Sequence, residues 1–193
     1  MADHDPLLDT LDAVRDQTES DVTRFGDIVE AIEERGYGPL IMVLSAFVIL
    51  PTGAIPGVPA VVGLALLLIA GQLLWGRDAP WLPKRLRRFE IDNDTLKSAT
   101  DKARPWAERL SALLRPRLSV LTNGPVANRV VALCVVAASL ALIPLGFIPF
   151  IPMALGAALF LLGLGMTARD GLVIALGYAV FALALYFGGP RLI

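Results

Sequence analysis

Apolar residues fill two long stretches of the chain, and charged residues are confined to the segments around them. No Asp, Glu, Lys, Arg or His occurs between Gly36 and Gly76. From residue 125 to the end, only four residues are charged: Arg129, Arg169, Asp170 and Arg191. Charged side chains are costly in lipid, and unpaired backbone groups there must be satisfied by helices. The two stretches therefore predict membrane-embedded helices.

The same pattern of Pro and Gly interrupts both apolar stretches. Residues 51–59 read PTGAIPGVP and residues 144–152 read PLGFIPFIP, with Pro at the first, sixth and ninth positions, Gly at the third and Ile at the fifth. Proline removes a backbone donor and clashes with the preceding turn, so no continuous helix is expected to pass through either break. We predict that the chain turns at both breaks.

Five apolar helices are predicted beside these breaks. The arms of the first hairpin are residues 39–50 and 60–75, those of the second are 126–143 and 153–167, and a last span covers 172–187. Gly63 and Gly156 keep the same 93-residue offset as the prolines. This correspondence predicts an internal repeat whose two hairpins pack through Gly and Ala. The fold class is thus all-α: a polytopic helical membrane protein with two broken hairpins and a C-terminal span.

Broken helices at corresponding positions of two halves point to a transporter-like site between the repeats. The candidate structural or transport residues are Pro51, Thr52, Gly53, Pro56, Gly57, Pro59, Gln72, Pro144, Gly146, Pro149 and Pro152. Two interpretations of the breaks stay open: turns of ordinary hairpins outside the membrane, or re-entrant tips that meet near its middle. Neither break holds an ionisable residue. This argues against a proton-coupled or ion-coupled pump, whose sites usually contain intramembrane Asp, Glu or His.

The first of four predicted regions, residues 1–37, carries eleven acidic residues against three arginines. Its apolar residues recur at helical spacing, which predicts two short amphipathic helices, and Gly36 and Gly38 are predicted to stop the second of them. We interpret this region as a cap packed on the membrane domain; the alternative is a docking surface for a partner. No cleaved signal peptide is expected, because acids stand where a basic segment and an apolar core are needed.

The other regions are a first membrane hairpin (38–75), a middle segment (76–124) and a second hairpin with the last span (125–193). The middle segment has eleven basic residues against six acidic ones, interleaved with Trp and Leu. Basic amphipathic helices with Trp lie at membrane interfaces, and short loops rich in Lys and Arg stay in the cytoplasm. We therefore predict a cytoplasmic N-terminus, whose acids face this basic segment, and a periplasmic C-terminus. Candidate ligands of lipid phosphate are Arg77, Arg85, Arg87 and Arg88.

Little chemistry is available for catalysis. The single cysteine, Cys134, lies within an apolar run, and the single histidine, His4, lies near the chain start. No catalytic constellation, metal-ligand cluster or Walker-type loop is found in the sequence, so we expect no enzyme activity, cofactor or metal. Arg169 and Asp170 are a candidate functional ion pair, because Asp170 is the single carboxylate in the second apolar stretch.

Several short motifs resemble the ExoD family of bacterial exopolysaccharide-synthesis membrane proteins. The resemblance covers most of residues 25–190 and is carried by LPTGAIPGVP at 50–59, QLLWGR at 72–77, PWLP at 80–83, ARPW at 103–106, LRPR at 114–117 and RDG at 169–171. The second break departs from the family pattern, which tends to have a small or polar residue where Phe150 and Ile151 stand. The resemblance implies an inner-membrane protein linked to exopolysaccharide production, and it implies no catalytic residues.

The leading hypothesis is accordingly a non-catalytic, transporter-like or accessory inner-membrane protein that supports exopolysaccharide synthesis or export. Two alternatives remain: a scramblase or enzyme that acts on a phospholipid or polyprenyl phosphate through interfacial arginines, and a docking protein for the polysaccharide machinery. The expected partners are the lipid bilayer, anionic lipid headgroups, a second copy of the chain in a dimer, and polysaccharide-synthesis components. Nucleic acid is not an expected partner.

Overall fold

The structure is a computed structural model that describes residues 6–16, 23–24, 36–49, 57–77, 90–91, 97–98, 100–102, 104–105, 107–109, 114, 118, 122, 124–145 and 151–188. Within these ranges the regular structure is helical apart from one antiparallel pair of two-residue strands, β1 (Thr23–Arg24) and β2 (Glu90–Ile91). The principal helices are α1 (Pro6–Asp16), α2 (Tyr37–Ile49), α3 (Val58–Leu74), α4 (Pro125–Leu145), α5 (Ile151–Ala168) and α6 (Gly171–Gly188). The all-helical prediction is confirmed.

All five predicted apolar helices are present, and each begins and ends within two residues of its predicted limits. The predicted end of α4 was wrong. We predicted that the helix stops before Pro144, but α4 continues through Pro144 and ends at Leu145. Pro144 stands in the last turn of α4. Its missing N–H therefore costs one hydrogen bond, and the helix does not have to continue beyond the proline.

The prediction for Gly38 was also wrong. Gly36 does adopt a left-handed backbone, with φ of +92°, just before α2 begins. Gly38, however, lies inside the first turn of α2 and does not end a preceding helix. A Cβ atom at Gly38 would lie 2.8 Å from Thr167 Oγ1 and 2.9 Å from the Thr167 backbone nitrogen. Gly38 therefore allows α2 to approach α5, a long-range role that local turn signals do not show.

The packing joins helices from different predicted hairpins. α2 packs mainly against α5, and α3 packs mainly against α4, whereas the contacts within each hairpin are smaller. α6 packs against the other side of α5. The largest fully buried side chains come mostly from α2 and α5: Leu40, Ile41, Leu44, Leu155 and Leu159. α2 and α5 thus form the centre of the bundle, with α3, α4 and α6 around them.

Glycine contacts show how closely these helices approach. A Cβ atom at Gly163 of α5 would lie 2.5 Å from the backbone nitrogen of Met42 in α2. A Cβ atom at Gly63 of α3 would lie 3.2 Å from the Ser139 carbonyl oxygen in α4. Small residues let helix backbones approach this closely, as in the interfaces between membrane helices.

The helices alternate in direction, so that the bundle has two distinct ends. Gly63, near the start of α3, lies against Ile143, near the end of α4. At the opposite end, the Tyr37 hydroxyl donates a 2.8 Å hydrogen bond to the Arg77 carbonyl oxygen. We call this second end, where α2, α4 and α6 begin and α3 and α5 end, the charged end; the other is the break end.

The helices differ in whether they could cross a membrane. By length and composition, two of those described could do so: Pro125–Pro144 and Ile151–Ala168. The three other apolar helices are shorter: Tyr37–Ile49, Val58–Leu74 and Gly171–Phe187. Large apolar side chains are exposed on the outer faces of α3, α4 and α6, among them Leu64, Val126, Val130, Leu133, Leu140, Leu172, Leu176 and Leu183.

The acidic helix α1 packs on the bundle. Leu7 is 4% exposed and packs with Met42 and Leu164, and Val14 is 3% exposed and joins the main core. Two ion pairs connect α1 with helical residues of the middle segment, Asp12 with Arg104 at 3.0 Å and Arg15 with Asp101 at 3.5 Å. Of the N-terminal acids, Asp12 contacts a base of the middle segment as predicted, whereas the Arg15–Asp101 pair has the opposite polarity. The second predicted N-terminal helix lies outside the described residues.

Candidate functional site

The residues selected from the sequence divide between the two ends of the bundle. Gly57, Pro59, Pro144 and Pro152 lie at the break end. Gln72 lies near the charged end, about 22 Å from Gly57 along α3 at 1.5 Å per residue. Six of the break residues fall outside the described part of the chain: Pro51, Thr52, Gly53, Pro56, Gly146 and Pro149. The structure thus separates Gln72 from the break with which it was grouped.

At the break end, two helices begin in similar ways. Gly57 caps the start of α3 with φ of +97°, a left-handed conformation that favours Gly, and Pro59 stands in the first turn. Pro152 likewise stands in the first turn of α5. Proline suits this position because the first-turn N–H groups have no helical partner and the fixed φ matches a helix. These prolines therefore start helices.

The buried hydroxyl groups between the hairpins are satisfied locally. Ser45 Oγ donates a 2.5 Å hydrogen bond to the Ile41 carbonyl oxygen, and Ser139 Oγ donates a 2.6 Å bond to the Val135 carbonyl oxygen. Both serines are fully buried. No buried side-chain nitrogen or oxygen of the described residues lacks a partner. Each serine hydroxyl thus donates to the carbonyl oxygen one turn earlier in its own helix.

At the charged end, α3 ends in a Schellman motif. Gly76 has φ of +74°, and its N–H donates to the Leu73 carbonyl oxygen at 3.0 Å. The Arg77 N–H donates to the Gln72 carbonyl oxygen at 3.1 Å. These two bonds satisfy carbonyl groups at the end of the helix. Arg77 is exposed, and the arrangement fixes its backbone beside Tyr37.

α5 ends with a similar turn that has a different residue at its centre. Arg169 has φ of +53°, and the following Asp170 N–H donates to the Gly165 carbonyl oxygen at 3.0 Å. Asp170 is 3% exposed, and its Oδ1 accepts a 2.9 Å hydrogen bond from the Leu172 N–H. Asp170 therefore caps the start of α6. The Arg169 side chain is exposed, and its guanidinium group forms no ion pair with Asp170 in the described part of the chain. A functional role for the two residues stays a prediction.

The other predicted phosphate ligands, Arg85, Arg87 and Arg88, lie outside the described residues. Sequence reasoning did not select Arg129 as a candidate ligand; it is exposed and is the fifth residue of α4. Its signal was present, since Arg129 is the first charge of the second apolar stretch and lies close to the start of that helix. Among the residues that the structure describes, no three His, Cys, Asp or Glu side chains form a group that could hold a metal ion.

Comparison with known proteins decides the family. The family described as "Exopolysaccharide synthesis, ExoD" matches residues 7–189. The chain belongs to the ExoD family. The ExoD match reaches from α1 to α6 and includes both breaks. Family membership predicted from the short motifs is therefore confirmed.

The sequence matches to two relatives cover most of the chain. Protein ExoD of Rhizobium meliloti (strain 1021) is 35% identical over 183 residues, which cover 94% of this chain and 75% of that protein. An uncharacterized protein of Synechocystis sp. is 25% identical over 151 residues, which cover 78% of this chain and 69% of that protein. No solved structure matches the ExoD chain significantly.

Proposed function

We propose that this chain is a multi-pass protein of the bacterial inner membrane that supports exopolysaccharide synthesis or export without catalysing a reaction. The family description and the similarity to Rhizobium ExoD support the role in exopolysaccharide synthesis. The observation that carries the membrane assignment is the apolar outer surface of the bundle. Leu133 and Leu140 of α4 and Leu176 and Leu183 of α6 are each more than half exposed.

This surface suits lipid better than water. Exposed apolar residues extend along α3, α4 and α6, whereas monomers in water rarely expose large contiguous apolar patches. In the five helices α2 to α6, the single charged residue is Arg129, the fifth residue of α4. Charges at helix ends and apolar residues between them are the arrangement that a bilayer requires.

The contacts support the proposed internal repeat. If the hairpin of α2 and α3 corresponds to that of α4 and α5, then the α2–α5 contact corresponds to the α4–α3 contact. These two are the main contacts between the hairpins. Gly63 meets the end of α4 and Gly156 meets Val48 and Ile49 at the end of α2, so the two glycines make corresponding contacts. An approximate twofold axis between the hairpins accounts for both.

Backbone conformation adds independent support for the repeat. Gly76 and Arg169, which end α3 and α5 with positive φ, are separated by the same 93 residues as Gly63 and Gly156. Pro59 and Pro152 keep this offset too. Corresponding residues thus begin and end the second arm of each hairpin.

Helix length supports the re-entrant interpretation for the first hairpin. α2 has 13 residues, about 20 Å at 1.5 Å per residue, whereas the hydrocarbon core is about 30 Å thick. If α2 starts at the cytoplasmic interface, Ile49 at its end lies inside the membrane. α4 has 21 residues, about 31 Å, and can cross fully.

The position of α1 favours its interpretation as a packed cap rather than as a docking surface. Leu7, Thr10 and Val14 of α1 are each at most 4% exposed in the isolated chain, so this face already contacts the bundle. Removing the N-terminal region, residues 1–35, tests the two interpretations. A cap predicts loss of folded protein; docking predicts normal membrane insertion with reduced polysaccharide.

Complementation tests the proposed function. The gene is deleted in an exopolysaccharide-producing bacterium that carries it, and polymer output is measured after return of wild type, Gly63→Leu or Gly71→Leu. We expect wild type and Gly71→Leu to restore output, because a Cβ at Gly71 meets nothing within 4 Å, and Gly63→Leu to fail because it separates α3 from α4. Unchanged polymer in the deletion strain would refute the role, and turnover of a lipid-linked sugar by purified protein would refute the non-catalytic part.

A further inference from the structure

Three exposed arginines lie at the charged end, each beside the end of a different helix. Arg77 follows α3, Arg129 is the fifth residue of α4, and Arg169 follows α5. The ion pairs of the described residues involve other side chains, and none of these three guanidinium groups takes part in one. In the described part of the chain, the three cations at this end of the apolar bundle thus have no acidic partner.

Contacts place Arg77 and Arg169 on either side of the start of α2. The Arg77 carbonyl oxygen accepts the 2.8 Å hydrogen bond from Tyr37. The next residue, Gly38, lies against Thr167, two residues before Arg169. Tyr37 and Gly38 therefore connect the ends of α3 and α5, and the two arginines lie at the same end of the molecule.

The antiparallel packing of α3 and α4 places Arg129 at a similar level. Gly63 contacts Ser139, and from that contact Trp75 lies 12 residues along α3 while Arg129 lies 10 residues back along α4. At 1.5 Å per residue, both lie about 15 to 18 Å from the contact. Arg129 is thus level with the end of α3, close to the level of Arg77.

Exposed aromatic residues mark the limits of the apolar surface. Trp75, two residues before Arg77, is 89% exposed. At the break end, Tyr186 and Phe187 of α6 are 75% and 65% exposed. Trp and Tyr concentrate at the headgroup level of both leaflets. Trp75 therefore places the neighbouring arginines at headgroup depth.

Arg169 occupies a backbone conformation that most residues avoid. Its φ of +53° is in the left-handed region, where Gly has no steric penalty, and the corresponding residue after α3 is Gly76. Strain of this kind indicates a role for the side chain. The neighbouring acid does not account for it, because Asp170 is buried and caps α6.

We propose that Arg77, Arg129 and Arg169 bind the phosphate groups of anionic phospholipids in one leaflet, with Trp75 lying among the headgroups. This inference rests on the proposed membrane function. A guanidinium group donates two parallel hydrogen bonds to a phosphate, which an exposed arginine at headgroup depth is free to do. Three arginines at separate helix ends match several phosphates spread over a leaflet better than one free phosphate ion.

Lipid titration of the purified full chain tests the proposal. Binding of phosphatidylglycerol and of phosphatidylcholine is measured by native mass spectrometry for wild type, Arg77→Ala, Arg129→Ala, Arg169→Gly and their triple combination. The control is Lys97→Ala with Lys102→Ala, which removes two exposed cations from the middle segment. We expect roughly a fivefold loss of phosphatidylglycerol affinity for each arginine removed. The control should lose clearly less, because a lysine ammonium cannot donate two parallel hydrogen bonds to one phosphate. Arg169→Gly relieves the left-handed strain, so backbone strain cannot explain a loss of binding in this variant.

The outcomes separate the two proposals. Preference of the wild type for phosphatidylglycerol, lost in the triple variant and not displaced by inorganic phosphate, supports the arginine site. Equal binding of both lipids by a wild type that resists alkaline extraction overturns the site and leaves the membrane function standing. A wild type that alkaline extraction removes from membranes refutes the membrane function itself. Full displacement of the lipid by inorganic phosphate, or equal loss in the lysine control, also overturns the arginine site.

Discussion

At the scale of single residues, glycine contacts decide how the bundle packs. Gly163 is the most confined, because an added Cβ would lie 2.5 Å from the Met42 nitrogen and 2.9 Å from the Gly38 carbonyl oxygen. Both are backbone atoms and cannot rotate away. Gly163→Ala must therefore separate α2 from α5, and we expect a loss of about 1–3 kcal/mol in stability, seen as a lower Tm in detergent.

Gly71→Ala is the matched control for that substitution. Gly71 is also inside a helix, but a Cβ there would meet nothing within 4 Å. Alanine is the better helix former by about 0.5–1 kcal/mol, so Gly71→Ala should keep or raise the Tm. Equal loss in both variants would show that helix flexibility matters here and that close packing does not.

Asp170 gives a second prediction at this scale. Its carboxylate accepts the Leu172 N–H and caps α6. Asp170→Ala should lower stability by about 1 kcal/mol, whereas Asp170→Asn should retain most of it, because an asparagine oxygen caps nearly as well. Thermal unfolding of the three proteins checks this. If Asn is as damaging as Ala, the charge of Asp170 has a role that capping does not explain.

The sequence revealed some of these residues and not others. Gly63 and Gly156 could be predicted because they repeat with the prolines. Gly163 and Gly38 could not, since each is confined by a helix that is distant in sequence. The left-handed Arg169 was equally hidden, because nothing in the RDG motif distinguishes a strained turn from an ordinary one. Short sequence patterns predict the local backbone conformation. Close contacts between helices depend on how the whole chain folds, so such patterns do not predict them.

At the scale of elements, helix positions followed from the sequence and helix pairing did not. The apolar runs are bounded by Pro, Gly and charge, which fixed the limits within two residues. Helices that are apolar on every side carry no face signal, so the sequence could not show that α2 packs on α5. The tips that join the arms lie outside the described residues, and the choice between re-entrant and ordinary turns stays a proposal.

The attachment of α1 can be divided between apolar contacts and ion pairs. Asp12 and Arg104 form a 3.0 Å pair, but their side chains are 50% and 41% exposed, so the pair contributes about 1 kcal/mol at most. Leu7 is 4% exposed, and Leu7→Ala should cost about 2 kcal/mol or more. We expect hydrogen exchange of residues 6–16 to accelerate strongly in Leu7→Ala and slightly in Asp12→Asn. Faster exchange in Asp12→Asn than in Leu7→Ala would mean that the ion pairs, and not the apolar contacts, attach α1 to the bundle.

At the scale of the whole molecule, the alternating helices define which residues share an end of the bundle. α2, α4 and α6 begin at the charged end, so the end of α6 lies at the break end. α1 packs on Met42 and Leu164, in the half of the bundle nearer the charged end, and pairs with the middle segment. The basic middle segment predicts that the charged end faces the cytoplasm.

This orientation gives the last prediction. Single cysteines replace Lys102, exposed in the middle segment, and Phe187, 65% exposed near the end of α6, in a Cys134→Ala background. A membrane-impermeant maleimide added to intact spheroplasts should label position 187 and should label position 102 only after the membrane is opened. Labelling of both positions from outside would contradict the prediction that residues 102 and 187 lie on opposite sides of the membrane. Labelling of position 102 alone would invert the orientation and move the three arginines to the outer leaflet.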